Sequence, residues 1–291
     1  MNTLCFDIGG TYVKYGIIDD NENIVDSGKF PTPRNACRDT IPNKLIDYSK
    51  EILNSYNIQK IGISTAGQVD AKLGRIIYAN DNLPNYTDCN LAEKIHSQIG
   101  VKTYVENDAY CAALGEMCQG AAVNSKNFIC LTLGTGVGGA FVLDKKLYKG
   151  SSNSAAIAGY MPINNSCFDK IVSTQGMLDH YHTLTGKDVN GIELFQKIRS
   201  LEKEAVIVYE SFINNIVLAL LNIVYMFDPE LVVVGGGISS QGQMLFDDIN
   251  TAFQKKALPV HNKLKIVKAN LENTAGLIGA YYITKNRNYY Y

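Results

Sequence analysis

A unit of strand, glycine-rich turn and strand occurs twice in this sequence, and it constrains the fold more than any other feature. The first copy predicts strands over Leu4–Ile8 and Val13–Asp19, with two glycines in the turn between them. The second copy predicts strands over Phe128–Leu133 and Ala140–Leu143, with four glycines in the intervening loop. Because each copy begins its own series of strands and helices, the sequence predicts two similar halves.

The remaining segments alternate strands with helices, which predicts an α/β protein with a mixed sheet in each half. We place the first domain at residues 1–116, joined by a C-terminal helix at about residues 275–291, and the second at residues 117–274. The other predicted strands are Ile24–Phe30, Gln59–Ser64, Lys102–Val105, Leu231–Val234 and Leu264–Ala269. The predicted helices include Leu91–Gln98, Asn107–Gln119, Lys203–Phe227 and Ala275–Thr284.

Composition narrows the kind of partner and compartment. The net charge is −1 and no segment concentrates Lys and Arg, which argues against a nucleic-acid partner. The first residues lack the basic and apolar regions of a signal peptide, and Phe212–Phe227, which contains three asparagines, is better explained as a buried core helix than as a membrane span. The seven cysteines form no Cys-x-x-Cys pair. We therefore predict a reduced, cytoplasmic protein with no membrane partner.

The first glycine turn has the composition of a phosphate site. Gly9 and Gly10 would let main-chain N–H groups approach a phosphate, and Thr11 adds a hydroxyl donor. Asp7 could hold a magnesium ion through water, and Lys14 follows shortly after. A plain hairpin turn with a capping aspartate is the alternative.

The second glycine loop follows a buried strand directly. The Gly-x-Gly-x-x-Gly template for dinucleotides fits it poorly, because the glycines lead into a strand and not a helix. This arrangement favours a phosphate cradle between two strands. The candidate residues are Gly134, Thr135, Gly136 and Gly138.

A third glycine run, Gly235, Gly236 and Gly237, separates the strand Leu231–Val234 from a helix. Backbone without side chains could lie against a flat adenosine, and the helix N-terminus could receive a phosphate oxygen. A tight strand-to-helix connection is the alternative, although it would require one glycine and not three.

Asn107 and Asp108 stand where a strand meets a helix. Either residue is a favoured helix N-cap, which is the simpler explanation. A carboxylate near phosphate loops could instead accept the proton of a sugar hydroxyl. We expect the helix N-terminus to keep Asp108 ionised, so that it orients the nucleophile in a loose phosphoryl-transfer transition state.

These four segments, in this order, resemble the ROK family of sugar kinases and repressors, part of the sugar kinase, Hsp70 and actin superfamily. The similarity extends from Asp7 to Ala280. It implies two ribonuclease-H-like domains with an interdomain cleft that closes around ATP, magnesium and a sugar. It also implies a catalytic base at Asp108, and sugar contacts at Gly67, Asn82 and Asn107.

The sequence departs from the family where most members bind zinc. The usual Gly-Glu-x-Gly-His element is replaced by Ala156–Tyr160, so that Ile157 stands for the sugar-binding Glu and Tyr160 for the zinc His. Of the zinc cysteines only Cys167 is present, and one cysteine cannot build a tetrahedral site. We therefore predict no zinc.

Other candidate ligands in this region do not restore the zinc site. His180 and His182 would point apart on the helix expected there. Asp169 keeps an acid where the family has Glu, so the resemblance implies that a sugar contact persists at this position.

The resemblance implies ATP-dependent phosphorylation of the C6 hydroxyl of an amino sugar, with N-acetylmannosamine favoured because kinases for it are similar in length and include zinc-less forms. Glucose and β-glucosides are the alternative substrates. A non-catalytic sugar-sensing regulator is the alternative from another class. Such a regulator could lose the phosphate loops or the base, whereas this sequence retains all of them. A homodimer is expected by the same resemblance.

Overall fold

The computed structural model describes residues 2–285 and 287–290, so that Met1, Asn286 and Tyr291 lie outside the described residues. The chain forms two compact units. The first consists of Met1–Val123, Lys146–Ala155 and Asn273–Tyr291, and the second of Asn124–Lys145 and Ala156–Glu272. Two segments that were predicted to lie in the second domain, residues 117–123 and Lys146–Ala155, belong to the first unit.

Most strands and helices of the described residues are short or of moderate length, and one helix, α7, is long. The strands are β1 Asn2–Ile8, β2 Tyr12–Ile18, β3 Ile24–Pro31, β4 Ile58–Thr65, β5 Gln68–Asp70, β6 Arg75–Tyr78, β7 Lys102–Asn107, β8 Phe128–Leu133, β9 Val137–Leu143, β10 Lys146–Tyr148, β11 Pro162–Ile163, β12 Ser166–Cys167, β13 Leu231–Gly235 and β14 Lys265–Lys268. The helices are α1 Cys37–Leu53, α2 Leu91–Ile99, α3 Asp108–Gln119, α4 Phe168–Val172, α5 Thr174–Thr185, α6 Gly191–Arg199, α7 Lys203–Phe227, α8 Gln243–Lys256 and α9 Ala275–Lys285.

The first unit contains a mixed sheet with the strand order β3-β2-β1-β4-β7. β1 and β2 form an antiparallel hairpin, whereas β1, β4 and β7 are parallel. Both faces of β1 are largely buried, and α9 packs on β1 and β4. The parallel strands therefore end at one edge of the sheet, and the turns that follow them share that edge.

The second unit repeats this design. β8 and β9 form an antiparallel hairpin, and β8, β13 and β14 are parallel, in the order β9-β8-β13-β14. The predicted similarity of the two halves is thus present in the strand pairing. One boundary was wrong: β9 begins at Val137 and not at Ala140, because Gly138 and Gly139 pair with Thr132 and Leu131 of β8.

The helix α7 is long and apolar enough, by length and composition, to cross a membrane. However, 61% of its most apolar 18-residue window is buried inside the protein. It packs against α5, α6 and α8 and contributes to the core of the second unit. This burial agrees with the prediction of a core helix.

The helices α3 and α9 of the first unit approach so closely that only glycine fits between them. A Cβ atom on Gly279 of α9 would lie 1.9 Å from the carbonyl oxygen of Cys111 in α3. On the sheet side, a Cβ atom on Gly62 of β4 would lie 2.0 Å from the carbonyl oxygen of Ala280. Main-chain atoms cannot move aside as a flexible side chain can. These glycines therefore set the distance of α9 from both α3 and the sheet.

We expect Gly279→Ala to lower the free energy of unfolding by roughly 1–3 kcal/mol, because two helix backbones must separate to admit a methyl group. Urea denaturation of the purified protein measures this change. Gly191→Ala is the matched control, since at the start of α6 the nearest atom is the side-chain Cγ2 of Thr174, at 3.2 Å. Equal changes for the two variants would contradict the packing argument.

Candidate active site

The carboxyl ends of β1, β4 and β7 bring the polar residues of the first unit together. In the parallel register Asp7 pairs with Ser64, Ser64 with Glu106, and Thr65 with Asn107. Side chains that are far apart in sequence therefore end in one row at one sheet edge. Asp108 follows directly as the first residue of α3.

Asp7 is held in one orientation by two side chains. Its Oδ1 accepts a hydrogen bond of 2.7 Å from the hydroxyl of Ser64, and Lys14 Nζ lies 3.5 Å from its Oδ2. Lys14 also donates to the carbonyl oxygen of Asn273, at 3.1 Å. A Cβ atom on Gly276 would lie 2.5 Å from Asp7 Oδ1, so glycine is required there to leave room for the carboxylate.

The turn Gly9–Thr11 is braced by the segment after β3. Thr32 donates its hydroxyl to the carbonyl oxygen of Gly9 at 2.7 Å, and Arg34 donates from Nε to that of Gly10 at 2.9 Å. Gly10 and Thr11 themselves are exposed. A Cβ atom on Gly10 would meet nothing within 4 Å, so packing within the protein does not require glycine there. An open, side-chain-free turn is what a phosphate ligand requires.

Asn107 is the N-cap of α3. Its Oδ1 accepts from the main-chain N–H groups of Ala109 at 2.9 Å and Tyr110 at 3.2 Å. Its Nδ2 donates to the carbonyl oxygen of Gly67 at 2.8 Å and to Asp108 Oδ1 at 2.9 Å. These bonds use both amide hydrogens, so Asn107 positions Asp108 and Gly67 in this structure. Its predicted sugar contact stays a prediction.

Asp108 is therefore not the helix cap, and one of its oxygens stays open. Oδ1 accepts from Asn107 Nδ2 and from the N–H of Ala109, whereas Oδ2 has no hydrogen bond within the described part of the chain. Burial, and next the nearby charge of Asp7, raise the pKa of Asp108 to about 6. The pKa is raised because burial and Asp7 outweigh the bonds from Asn107 and Ala109, and at about 6 it still leaves Asp108 mostly ionised at pH 7.

The two other predicted sugar residues of the first unit differ in placement. Gly67 has a φ of +103°, and a Cβ atom there would lie 2.7 Å from the carbonyl oxygen of Tyr78. Its carbonyl oxygen accepts a hydrogen bond from the Asn107 side chain, which also holds Asp108, so Gly67 lies close to Asp108. Asn82 lies exposed in the turn after β6, where its N–H donates to the side chain of Asn80. No hydrogen bond among residues 2–285 connects it to Asn107 or Asp108.

In the second unit, the loop after β8 forms a tight turn. The N–H of Gly134 donates to the carbonyl oxygen of Gly136 at 2.9 Å, and Thr135 and Gly136 are exposed. Asp169 Oδ1 accepts from the N–H of Val137 at 2.5 Å. A Cβ atom on Gly136 would lie 2.8 Å from that same oxygen. Asp169, predicted as a sugar contact, thus lies directly against the predicted phosphate loop.

The third glycine run lies beside this loop within the same unit. Gly236 has a φ of +86°, and a Cβ atom there would lie 2.3 Å from the carbonyl oxygen of Leu133. Gly236 is therefore required by the fold. A Cβ atom on Gly237 would meet nothing within 4 Å, so packing within the protein does not require glycine there. A Cβ on Gly134 would lie 3.9 Å from the N atom of Gly237, which makes the two loops neighbours.

The segment that replaces the family's zinc region contains no set of zinc ligands. Tyr160 is 61% exposed, and Cys167 lies in β12 just before α4. Across residues 2–285 and 287–290, no three His, Cys, Asp or Glu side chains form a group that could hold a metal ion. The zinc-free site stays a prediction.

Sequence reasoning missed several residues of the site. Ser64, Arg34 and Gly276 touch the predicted residues but were not predicted as site residues themselves. Gly276 was the one of these residues that the sequence could have indicated, since it lies in an apolar helix segment with a second glycine, Gly279, three residues later.

The chain belongs to the ROK family, whose family model matches residues 3–287. A relative from Clostridium perfringens, the uncharacterized protein CPE0188, is 35% identical over 280 residues, which is 95% of each chain. The ROK family glucokinase of Streptomyces griseus, solved with glucose and AMPPNP, is 25% identical with a TM-score of 0.85, over 97% of this chain and 99% of that one. Lmo2764 of Listeria monocytogenes, a candidate N-acetylmannosamine kinase, is 26% identical with a TM-score of 0.88, over 98% and 100%.

These similarities confirm the predicted fold class. The two units with mixed sheets are the ribonuclease-H-like domains of the actin, Hsp70 and sugar kinase superfamily.

We expect Asp108→Asn to raise the free energy of unfolding above pH 6, by roughly 1–3 kcal/mol. The folded-state pKa, about 6, is higher than the ordinary value of 3.8, so ionisation of Asp108 opposes folding. This cost is complete above pH 6 and absent below pH 3.8. Asn keeps an oxygen that accepts from Asn107 and Ala109. Urea denaturation from about pH 4 to pH 8 measures the change.

Asp39→Asn is the control for this measurement. Asp39 is exposed and pairs with Lys94, whose hydrogen bond lowers the pKa of Asp39. Its substitution should give no gain above pH 6. A gain for Asp108→Asn that is the same at all pH values would contradict the role of ionisation.

Proposed function

We propose that this protein transfers the γ-phosphoryl group of ATP to a primary hydroxyl, the C6 hydroxyl, of an amino sugar or hexose. The observation that carries the proposal is that, within the described part of the chain, the hydrogen bonds of the Asp108 carboxylate all go to Oδ1 and leave Oδ2 free to accept a proton. This oxygen is open while Asn107 and Ala109 hold its partner Oδ1. A carboxylate fixed at one oxygen and open at the other is suited to accept a hydroxyl proton.

The pKa of Asp108 supports this role. At about 6, it leaves most of the carboxylate ionised at pH 7 and makes it a stronger base than an ordinary aspartate. Asp108 would orient the sugar hydroxyl and take its proton as the phosphoryl group moves to the sugar oxygen. Gly67, tied to Asn107, would contribute backbone to the same sugar site.

The glycine turns supply main-chain donors for phosphate oxygens. Gly10 and Gly237 have open space where a Cβ would stand, so a ligand can approach their N–H groups. We assign Asp7, Gly9, Gly10, Thr11 and Lys14 to the phosphates in the first unit. In the second unit, the phosphate residues are Gly134, Thr135, Gly136 and Gly138, and the adenosine residues are Gly235, Gly236 and Gly237.

Magnesium fits the residues around Asp7. Mg²⁺ keeps several waters and is commonly bound by one or two carboxylates together with substrate phosphates. Among residues 2–285 and 287–290, the hydrogen-bonding contact of Asp7 Oδ2 is the 3.5 Å one with Lys14, which leaves this oxygen available to a water of the ion. When bound, the ion would neutralise charge on the phosphate oxygens.

Among sugars we favour N-acetylmannosamine. The similarity to the Listeria protein supports an amino sugar. Ile157, half-buried where the family has a sugar-binding Glu, can only pack against a sugar or its acyl group. Glucose is the alternative, because the similar Streptomyces griseus enzyme was solved with it. The homodimer, the cytoplasmic location and sugar contacts from Asn82 and Asp169 stay predictions.

A panel of sugars tests the reaction and its substrate together. With ATP and magnesium, ADP release should show one amino sugar or hexose preferred by at least roughly tenfold in kcat/KM, about 1.4 kcal/mol in transition-state stabilisation. The panel should include N-acetylmannosamine, N-acetylglucosamine, glucose and a β-glucoside. Sugar binding without ADP release above background would contradict the kinase and favour a sugar-sensing regulator.

Asp108→Asn should lower kcat by at least about 100-fold while ATP still binds, because the amide cannot accept the hydroxyl proton. In the native enzyme, kcat/KM should fall as pH drops through about 6, since protonation of Asp108 removes the base. Stopped assays across pH, with ATP binding measured separately, check both results. Asp39→Asn is the control. Near-normal turnover of Asp108→Asn would exclude Asp108 as the base.

A further inference from the structure

The residue before Asn107 forms a buried ion pair within the first unit. Glu106 Oε1 and Oε2 accept from Lys149 Nζ at 2.9 Å and 2.8 Å. The side chain of Glu106 is 0% exposed and that of Lys149 is 10% exposed. Burying two charges is costly, and apolar residues often replace such a pair without loss of stability. A contribution to stability alone therefore does not account for this pair.

Every hydrogen of the Lys149 ammonium group has an acceptor. Beyond the two oxygens of Glu106, Nζ donates to the carbonyl oxygen of Val69 at 3.2 Å. An ammonium group has three donors, so these three bonds satisfy it completely. Val69 lies in β5, two residues after Gly67. Lys149 thus connects the strand before Asp108 with the segment after Gly67.

A chain of hydrogen bonds continues from this pair to Asp108. Glu106 Oε1 also accepts from the main-chain N–H of Asn107 at 2.8 Å. The Asn107 side chain then holds Asp108 Oδ1 and the carbonyl oxygen of Gly67. The Gly67–Val69 segment is consequently joined to Glu106–Asp108 twice, once through Asn107 and once through Lys149.

The segment that carries Lys149 is itself anchored to α3 and to β5. Tyr110 of α3 donates its hydroxyl to the carbonyl oxygen of Ala155 at 2.6 Å, and Ser154 donates to Gln68 of β5 at 2.9 Å. The rings of Tyr110 and Tyr290 lie 5.4 Å from Lys149 Nζ, close enough for cation–π attraction. These contacts restrict the ammonium group to one position.

We propose that Lys149 is a positioning residue for phosphoryl transfer. Through Glu106 and Val69 it holds the Gly67–Val69 sugar segment at a set distance from Asp108. It acts through these two residues, and within residues 2–285 none of its hydrogen bonds goes to Asp108. Its catalytic consequence rests on the proposed function, whereas its structural consequence does not.

Lys149→Met, which removes the ammonium group but keeps most of the side-chain volume, should lower kcat about 10- to 100-fold, because small misplacements of a reacting group cost this much. The KM for ATP should change less than about threefold, since the phosphate turns are not part of the network. Lys149→Arg, which keeps the charge, should recover part of the loss. A Lys149→Met enzyme with kcat within about twofold of the native value would overturn the proposal.

The double variant Glu106→Gln/Lys149→Met separates positioning from stability. Lys149→Met alone leaves a buried, unpaired carboxylate and should lower Tm. The double variant leaves no lone charge, so its Tm should return close to the native value. Its kcat should stay low, because the donor to Val69 is still missing. Recovery of kcat together with Tm would show that the pair only stabilises the fold.

Lys94→Met is the matched control, because it removes a lysine–carboxylate pair of the same unit, with Asp39, that is exposed. Its kcat and Tm should be close to native.

Hydrogen–deuterium exchange supplies a readout that does not need catalysis. In the double variant, peptides that cover residues 66–70 and 106–110 should exchange faster than in the native protein, while peptides of the second unit should not change. If the native protein phosphorylates no sugar, the proposed function fails but this exchange still tests the anchor. Unchanged exchange in both peptides would overturn the role of Lys149.

Discussion

The parallel register of β1, β4 and β7 is the constraint on which the rest of the candidate site depends. Hydrogen bonding between these strands aligns Asp7, Ser64 and Glu106 in one row and places Asn107 and Asp108 at the start of α3. A shift by one residue would turn each of these side chains to the opposite face of the sheet. The close packing of α9, with glycine at its contacts with α3, β4 and Asp7, keeps the helix behind this row at one distance.

Within this frame, the electrostatics of the site come from two carboxylates with different surroundings. Asp7 accepts from Ser64 and lies beside Lys14, whereas Asp108 is held by Asn107 and Ala109. Burial and the charge of Asp7 raise the pKa of Asp108, and strongly perturbed pKa values are concentrated at functional sites. The same burial opposes folding at neutral pH, a cost that functional sites commonly carry.

The sequence predicted the parts of the site that depend on local chemistry. The glycine turns after β1 and β8, the helix that begins at Asp108, and the mixed sheets follow from short patterns of apolar residues, glycines and caps. The short hairpin β5–β6 was not predicted, because β5 spans only three residues. The start of β9 was not predicted, because Gly138 and Gly139 are residue types typical of a loop. Nor could Lys149 be predicted, since its partner Glu106 is 43 residues away.

By itself, the sequence determined the family and the order of the motifs and predicted the two carboxylates of the candidate site, because these depend on residue type and on spacing along the chain. Only the tertiary structure decided which of Asn107 and Asp108 caps the helix, which glycines the fold requires, and how strongly Asp108 holds its proton. Those properties depend on burial and on contacts between distant segments, such as the charge of Asp7 near Asp108. Electrostatic and packing energies of this kind depend on distance in space, which a linear sequence does not contain.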